Sequence, residues 1–134
     1  MWKEFLSSIG IGNAKVDTIV HNPSVKTGEK IKGEVQIRGG VSAQVIDEIL
    51  LLLYVQYRED KEDSDFTHHV KELSETRLEK IGTIQAGEER KIPFSIEIDK
   101  DHPKTDSKYE TFLRTTLMVS QAIDPKDEDT IDVK

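Results

Sequence analysis

The sequence predicts an all-β protein: an antiparallel β-sandwich of about seven strands with a short amphipathic helix at its N-terminus. Three observations lead there. Apolar residues alternate with polar ones at Ile31, Val35 and Ile37, and again at Ile92, Phe94, Ile96 and Ile98, which is the period of a half-buried strand. Clusters of Gly, Pro, Asn and Asp separate the apolar runs at the spacing of a sandwich. A clear helical period occurs only at residues 2–9.

Taken in order, Trp2, Phe5, Leu6 and Ile9 fall at i, i+3, i+4 and i+7, on one helical face. Gly10-Ile11-Gly12-Asn13 stops that helix, because Gly adopts left-handed conformations at little cost. The first twelve residues are therefore read as helix and stop, and 13–134 as the sandwich. Ala14 to His21 alternates and reads as a strand. Asn22-Pro23-Ser24 and Thr27-Gly28-Glu29 are turns. The strand over 31–37 follows, and Gly33 within it predicts a bulge or a close backbone approach.

Ile49 to Val55 is continuously apolar, so periodicity cannot separate strand from helix there; Tyr54, Val55 and Tyr57 favour a strand, over about 43–58. The charged stretch 58–65 reads as an exposed hairpin tip. His69 to Ile81 is weakly patterned and permits either a helix or a bulged strand. A turn at Ala86-Gly87-Glu88 leads into the strand over 92–98, where Pro93 requires an edge or a bulge because it cannot donate a ladder hydrogen bond. Residues 99–108 form a loop, 109–122 a long strand, Asp124 to Asp129 a turn and 130–133 a last short strand.

Composition bounds the chemistry. The chain has 134 residues, enough for one domain that buries roughly two-thirds of its unfolded surface without a metal or disulfide. It has no cysteine, which excludes a disulfide scaffold, a thiol nucleophile and Cys-ligated zinc or iron–sulfur sites. The net charge of −7 is spread over both halves, and no dense Lys/Arg patch offers a phosphate-binding surface, so nucleic acid is not an expected partner. No apolar run is long enough to span a membrane, and the N-terminus lacks the pattern of a secretory signal. The expected location is the cytoplasm.

No catalytic or metal constellation emerges. His21, His68, His69 and His102 include no pair spaced to ligate from one helical face, and on a strand His68 and His69 point to opposite sides. Asp124, Asp127, Glu128, Asp129 and Asp132 lack the mid-loop Gly and terminal Glu of a calcium loop, and Asp124-Pro125 starts a turn. Gly10-Ile11-Gly12 lacks the third Gly of a dinucleotide loop and precedes a strand rather than a helix. The chain is read as no enzyme, with no cofactor. The candidate partner-binding residues are Trp2, Phe5, Leu6 and Ile9, whose polar face is too nearly neutral for a membrane surface.

Two stretches resemble arrestin-like lobes: Val25 to Ile37, where a Gly28-Glu29 turn feeds the strand carrying Gly33, and Ala86 to Ile96, where Gly87-Glu88 precedes Ile92-Pro93-Phe94. Gly10 to Thr18 and Ala122 to Asp129 resemble the bacterial sporulation-control protein family, whose members are arrestin-like. The resemblance covers nearly the whole chain and is weak over 59–80. It implies an arrestin-like (immunoglobulin-like) fold of two sandwiches joined by a linker, of which this chain holds the first. It also implies a non-catalytic regulator of sporulation, at the stage 0 control level. The charged core through which receptor-binding arrestins sense phosphate has no match here, so phosphoprotein recognition is not carried over.

Two functions are thus expected in turn. The first is an adaptor for protein partners, through the helix stripe or an exposed edge strand; such edges also permit self-association. The second is a carrier of a small ligand or lipid, with Leu50, Leu52, Tyr54, Phe94 and Phe112 lining a pocket between the sheets or under the helix.

Overall fold

The computed structural model describes residues 12–60 and 66–134. They form eight strands: β1 (Lys15–Val20), β2 (Ser24–Val25), β3 (Lys30–Arg38), β4 (Gln44–Asp60), β5 (Phe66–Ile84), β6 (Glu89–Glu97), β7 (Tyr109–Val119) and β8 (Lys126–Val133). No helix occurs among the described residues, and the helix expected over 2–9 lies outside them. One sheet has three strands in the order β1-β3-β6; the other has five, in the order β2-β8-β7-β4-β5. The core lies between the two sheets.

β3 is the centre of the small sheet. Its alternation sends Ile31, Val35 and Ile37 into the core and Lys32, Glu34 and Gln36 outward. Gly33 faces the core as well, and the expected close approach is there. A Cβ at this position would strike the carbonyl oxygen of Ile19 and come within 2.9 Å of the Phe94 ring, so glycine lets β1 and Phe94 pack against β3.

β4 is the spine of the large sheet, paired with β5 on one side and β7 on the other. The uniform apolar run therefore forms a strand, not a helix. Against β7 an irregularity between Ile46 and Glu48 leaves Asp47 as an extra residue, and the alternation along β4 reverses there. Ile46, Ile49, Leu51 and Leu53 are thus all buried in the core. Ile84 on β5, Leu113 and Leu117 on β7 and Ile131 on β8 join them there. Full burial of each such side chain is worth about 1.5–3 kcal/mol, so this layer outweighs any one polar link between the sheets.

Of the two alternatives open for 69–81 the bulged strand forms, as part of β5, which pairs along almost the full length of β4. Other expectations are corrected. The last strand starts at Lys126, not 130, because Lys126 to Glu128 pair with Arg114 to Thr116 of β7. Asp124 and Pro125 keep the turn role, with Asp124 Oδ1 accepting the Val119 amide at 2.8 Å. Ser24, expected in a turn, forms with Val25 an additional strand that pairs parallel with β8, so the sandwich is not wholly antiparallel. β4 and β5 form the expected hairpin, whose connection at 61–65 lies outside the described residues.

Candidate functional site

The two flanks of the sandwich differ. On the β1/β8 flank the sheets are stitched together. The Thr18 amide donates to Asp127 Oδ2 at 2.7 Å, and Thr18 Oγ1 donates to Thr115 Oγ1 at 2.6 Å. On the opposite flank β5 and β6 are the outer strands of their sheets. Among the described residues a side chain from β6 bridges one end of that flank: Arg90 donates to the carbonyls of Ile81 at 2.9 Å and Thr83 at 3.1 Å. Glu88 Oε2 holds the guanidinium in place, accepting from Arg90 at 2.7 and 2.9 Å. The Gln85 amide and Arg90 together hold the Glu88 carboxyl below the usual carboxylate range.

Away from Arg90 the flank opens into a groove of about 570 Å³, lined by Leu53, Leu73, Ser74, Glu97, Asp99, Lys100, Asp101 and His102. Leu53 comes from the core face of β4 and forms the floor. Leu73 is aimed there by a second bulge: Glu72 pairs with Tyr54 and Ser74 with Leu53, leaving Leu73 as the extra residue. The far lip is the end of β6 and the turn after it, in which Asp99 Oδ1 accepts the Asp101 amide at 2.9 Å and the Asp99 carbonyl accepts the His102 amide at 3.1 Å. That turn tucks His102 inside, with its Nε2 2.8 Å from Thr111 Oγ1. Burial pushes the His102 pKa below its ordinary value, against a smaller opposing pull from Asp99.

The outer face of the large sheet carries a different cluster. Tyr54 and Phe112 stack with ring centroids 5.3 Å apart, and the Arg114 guanidinium lies 5.0 Å from the Tyr54 ring centre. Arg114 donates to Glu128 Oε2 at 3.1 Å. Burial, reinforced by Glu128, pushes the Tyr54 phenol up to about 12. This is a cross-strand arrangement that links β4, β7 and β8 on the outer face.

Trp2, Phe5, Leu6 and Ile9 lie outside the described residues. The residues Leu50, Leu52, Tyr54, Phe94 and Phe112 do not line one pocket between the sheets, and the version under the helix lies outside the described residues. Tyr54 and Phe112 pair on the outer face, Leu50 and Leu52 share their phase, and Phe94 is packed into the core. The bulge at Asp47 is the cause, because it puts the odd residues of β4 inward from Ile49 on. The groove uses Leu53 and Leu73 instead. Leu73 was visible in the sequence only as part of a three-residue spacing. His69 stacks on Tyr57 with ring centroids 5.2 Å apart. Among the described residues no group of three or more His, Asp or Glu side chains is arranged to hold a metal, and no helix is long and apolar enough to cross a membrane.

Fold and groove together define a class: a two-sheet β-sandwich that exposes strand edges. The chain belongs to the SpoOM protein family, whose model matches residues 2–134. It is 36% identical over 133 residues to the sporulation-control protein Spo0M of Bacillus subtilis strain 168, covering 99% of this chain and 51% of that protein. Its fold is similar to the crystal structure of Spo0M, sporulation control protein, from Bacillus subtilis. The TM-score is 0.85 at 36% identity, over 92% of this chain and 50% of that one. The chain thus spans about half the length of the relatives it matches.

Proposed function

We propose that the chain acts in the control of sporulation as a non-catalytic, cytoplasmic adaptor that binds other proteins. The observation that carries this reading is the unsealed flank, where among the described residues β5 and β6 each leave one edge unpaired beside an apolar floor. Unpaired edges are templates for a partner strand. Membership of the sporulation-control family supplies the biological setting. A second contact in the adaptor is the helix stripe of Trp2, Phe5, Leu6 and Ile9.

The test is affinity capture from a lysate of sporulating cells, with the parent chain and Trp2→Ser/Phe5→Ser side by side. A protein that reaches the parent, and binds it again when purified, supports the adaptor. Its loss in the double variant places a contact on the stripe. If the parent holds no protein above an unrelated sandwich of equal charge, the adaptor reading fails.

The groove's volume favours one other reading, a carrier of a small apolar ligand, since about 570 Å³ lies within the size range of ligand sites. Native mass spectrometry of freshly purified protein decides it: a single mass equal to the bare chain sinks the carrier.

A further inference from the structure

We infer that the groove between β5 and β6 receives an extended, basic peptide segment of a partner protein, which adds as a strand to the free edge of β6 and sets one apolar side chain between Leu53 and Leu73. The inference rests on the adaptor reading and names its partner's chemistry.

The backbone of β6 shows which groups are available. In the antiparallel ladder alternate residues bond to the same neighbour. Ile98 donates its amide to the Glu29 carbonyl and Glu88 accepts from the Gly39 amide, so the even residues between them face β3. The odd residues then turn their amides and carbonyls to the free edge. Pro93 is one of these, and its missing N–H interrupts any incoming strand at that point. Beyond it, Arg90 ties the flank shut. The usable stretch is therefore short: it begins at Ser95 and reaches Glu97, which lines the groove.

The groove supplies a pocket and a charge for that strand. Leu53 and Leu73 form the apolar part. Beside them the Ser74 hydroxyl is buried and makes no hydrogen bond among the described residues, although such a group costs free energy until it finds a partner. Glu97, Asp99 and Asp101 outnumber Lys100 along the lip, and all are exposed. An acidic lip favours Lys and Arg and repels phosphorylated segments and anionic lipid. The chain's own residues 2–9 are poor occupants: they carry one Lys against one Glu. The described residues begin at Gly12, beside Val41 and near the start of β4. Leu53 is nine residues along that strand, about 30 Å away.

The experiment selects a display library of random dodecapeptides on the intact chain and measures the recovered peptides by fluorescence anisotropy. Recovered peptides should carry Lys or Arg on both sides of an aliphatic or aromatic residue. Their affinity should fall at least tenfold for Leu73→Arg, and again for Glu97→Lys/Asp101→Lys, which leaves the floor untouched. On binding, hydrogen exchange should slow at the Ser95 and Glu97 amides but not at Ile96, which already faces β3. The assignment is overturned if no peptide is recovered, if the recovered peptides are acidic or uncharged, or if folded variants bind them as well as the parent. A lysate partner held equally by parent and groove variants removes the groove assignment and leaves the adaptor standing. A parent that holds no lysate protein removes the adaptor.

Discussion

Thr18, on the first strand, donates its backbone amide to the carboxylate of Asp127, on the last, at 2.7 Å. The bond joins the edge of the small sheet to the large one and makes one flank of the sandwich a seam. The opposite flank has Arg90 at one end and an open groove at the other. The molecule therefore has a closed side and an open side.

Asp127→Ala should destabilise the fold by about 1–3 kcal/mol, because it leaves the Thr18 amide of a part-buried pair without its acceptor. Urea unfolding should show a lower midpoint at unchanged slope. An unchanged midpoint would mean that water replaces the carboxylate without cost.

Gly33→Ala should cost about 1–3 kcal/mol or more, since the added methyl meets a backbone carbonyl as well as the Phe94 ring. Adding Phe94→Leu relieves only the ring and should not restore the parent's thermal midpoint. Full recovery in the double variant would show that the carbonyl of Ile19 moves aside freely.

The buried His102 predicts a pH dependence. Its folded pKa lies below the ordinary value of 6.5, so on acidification the unfolded chain takes up the proton first. Its contribution to stability is intact above the unfolded value and is lost as the pH falls through 6.5 toward the lower folded value. His102→Gln, which can still reach Thr111, should flatten the fall in urea midpoint between pH 7 and 5. An equal fall in both proteins would place the acid sensitivity elsewhere.

Arg90→Ala should free the end of β5 from β6. Amide exchange near Ile84 should quicken while that of Leu113 and Leu117, deep in the core, stays slow. No change near Ile84 would show that the β4 pairing alone holds that end.

Much of the fold was legible because single-period strands announce themselves. β3 and β6 alternate without interruption, and Pro93 announced an edge, which is where it lies. The two faces of β4 were not legible, because Leu50 to Leu53 are chemically equivalent and only the bulge at Asp47 decides which of them turn inward. Counting by twos from Ile46 puts Leu50, Leu52 and Tyr54 in the core; one extra residue puts them outside. The same physics hid the groove. Leu73 reaches it through a bulge, and no residue pattern in a charged edge strand marks where the register slips. The acidic residues at 124–129 were visible as a cluster, but that Asp127 would clasp Thr18 depends on a partner 109 residues away.

That separation has a kinetic consequence. β8 is the last of the described strands to be synthesised, yet it supplies the seam to β1 and the parallel partner of β2. Contacts between such distant parts of a chain slow folding, because the intervening loop must close before they form. During synthesis β1 and β2 must wait with their edges unsatisfied until residues 126–133 arrive. The early chain is thus the stretch most in need of chaperone cover, and refolding of the completed domain should be limited by the docking of its final strand.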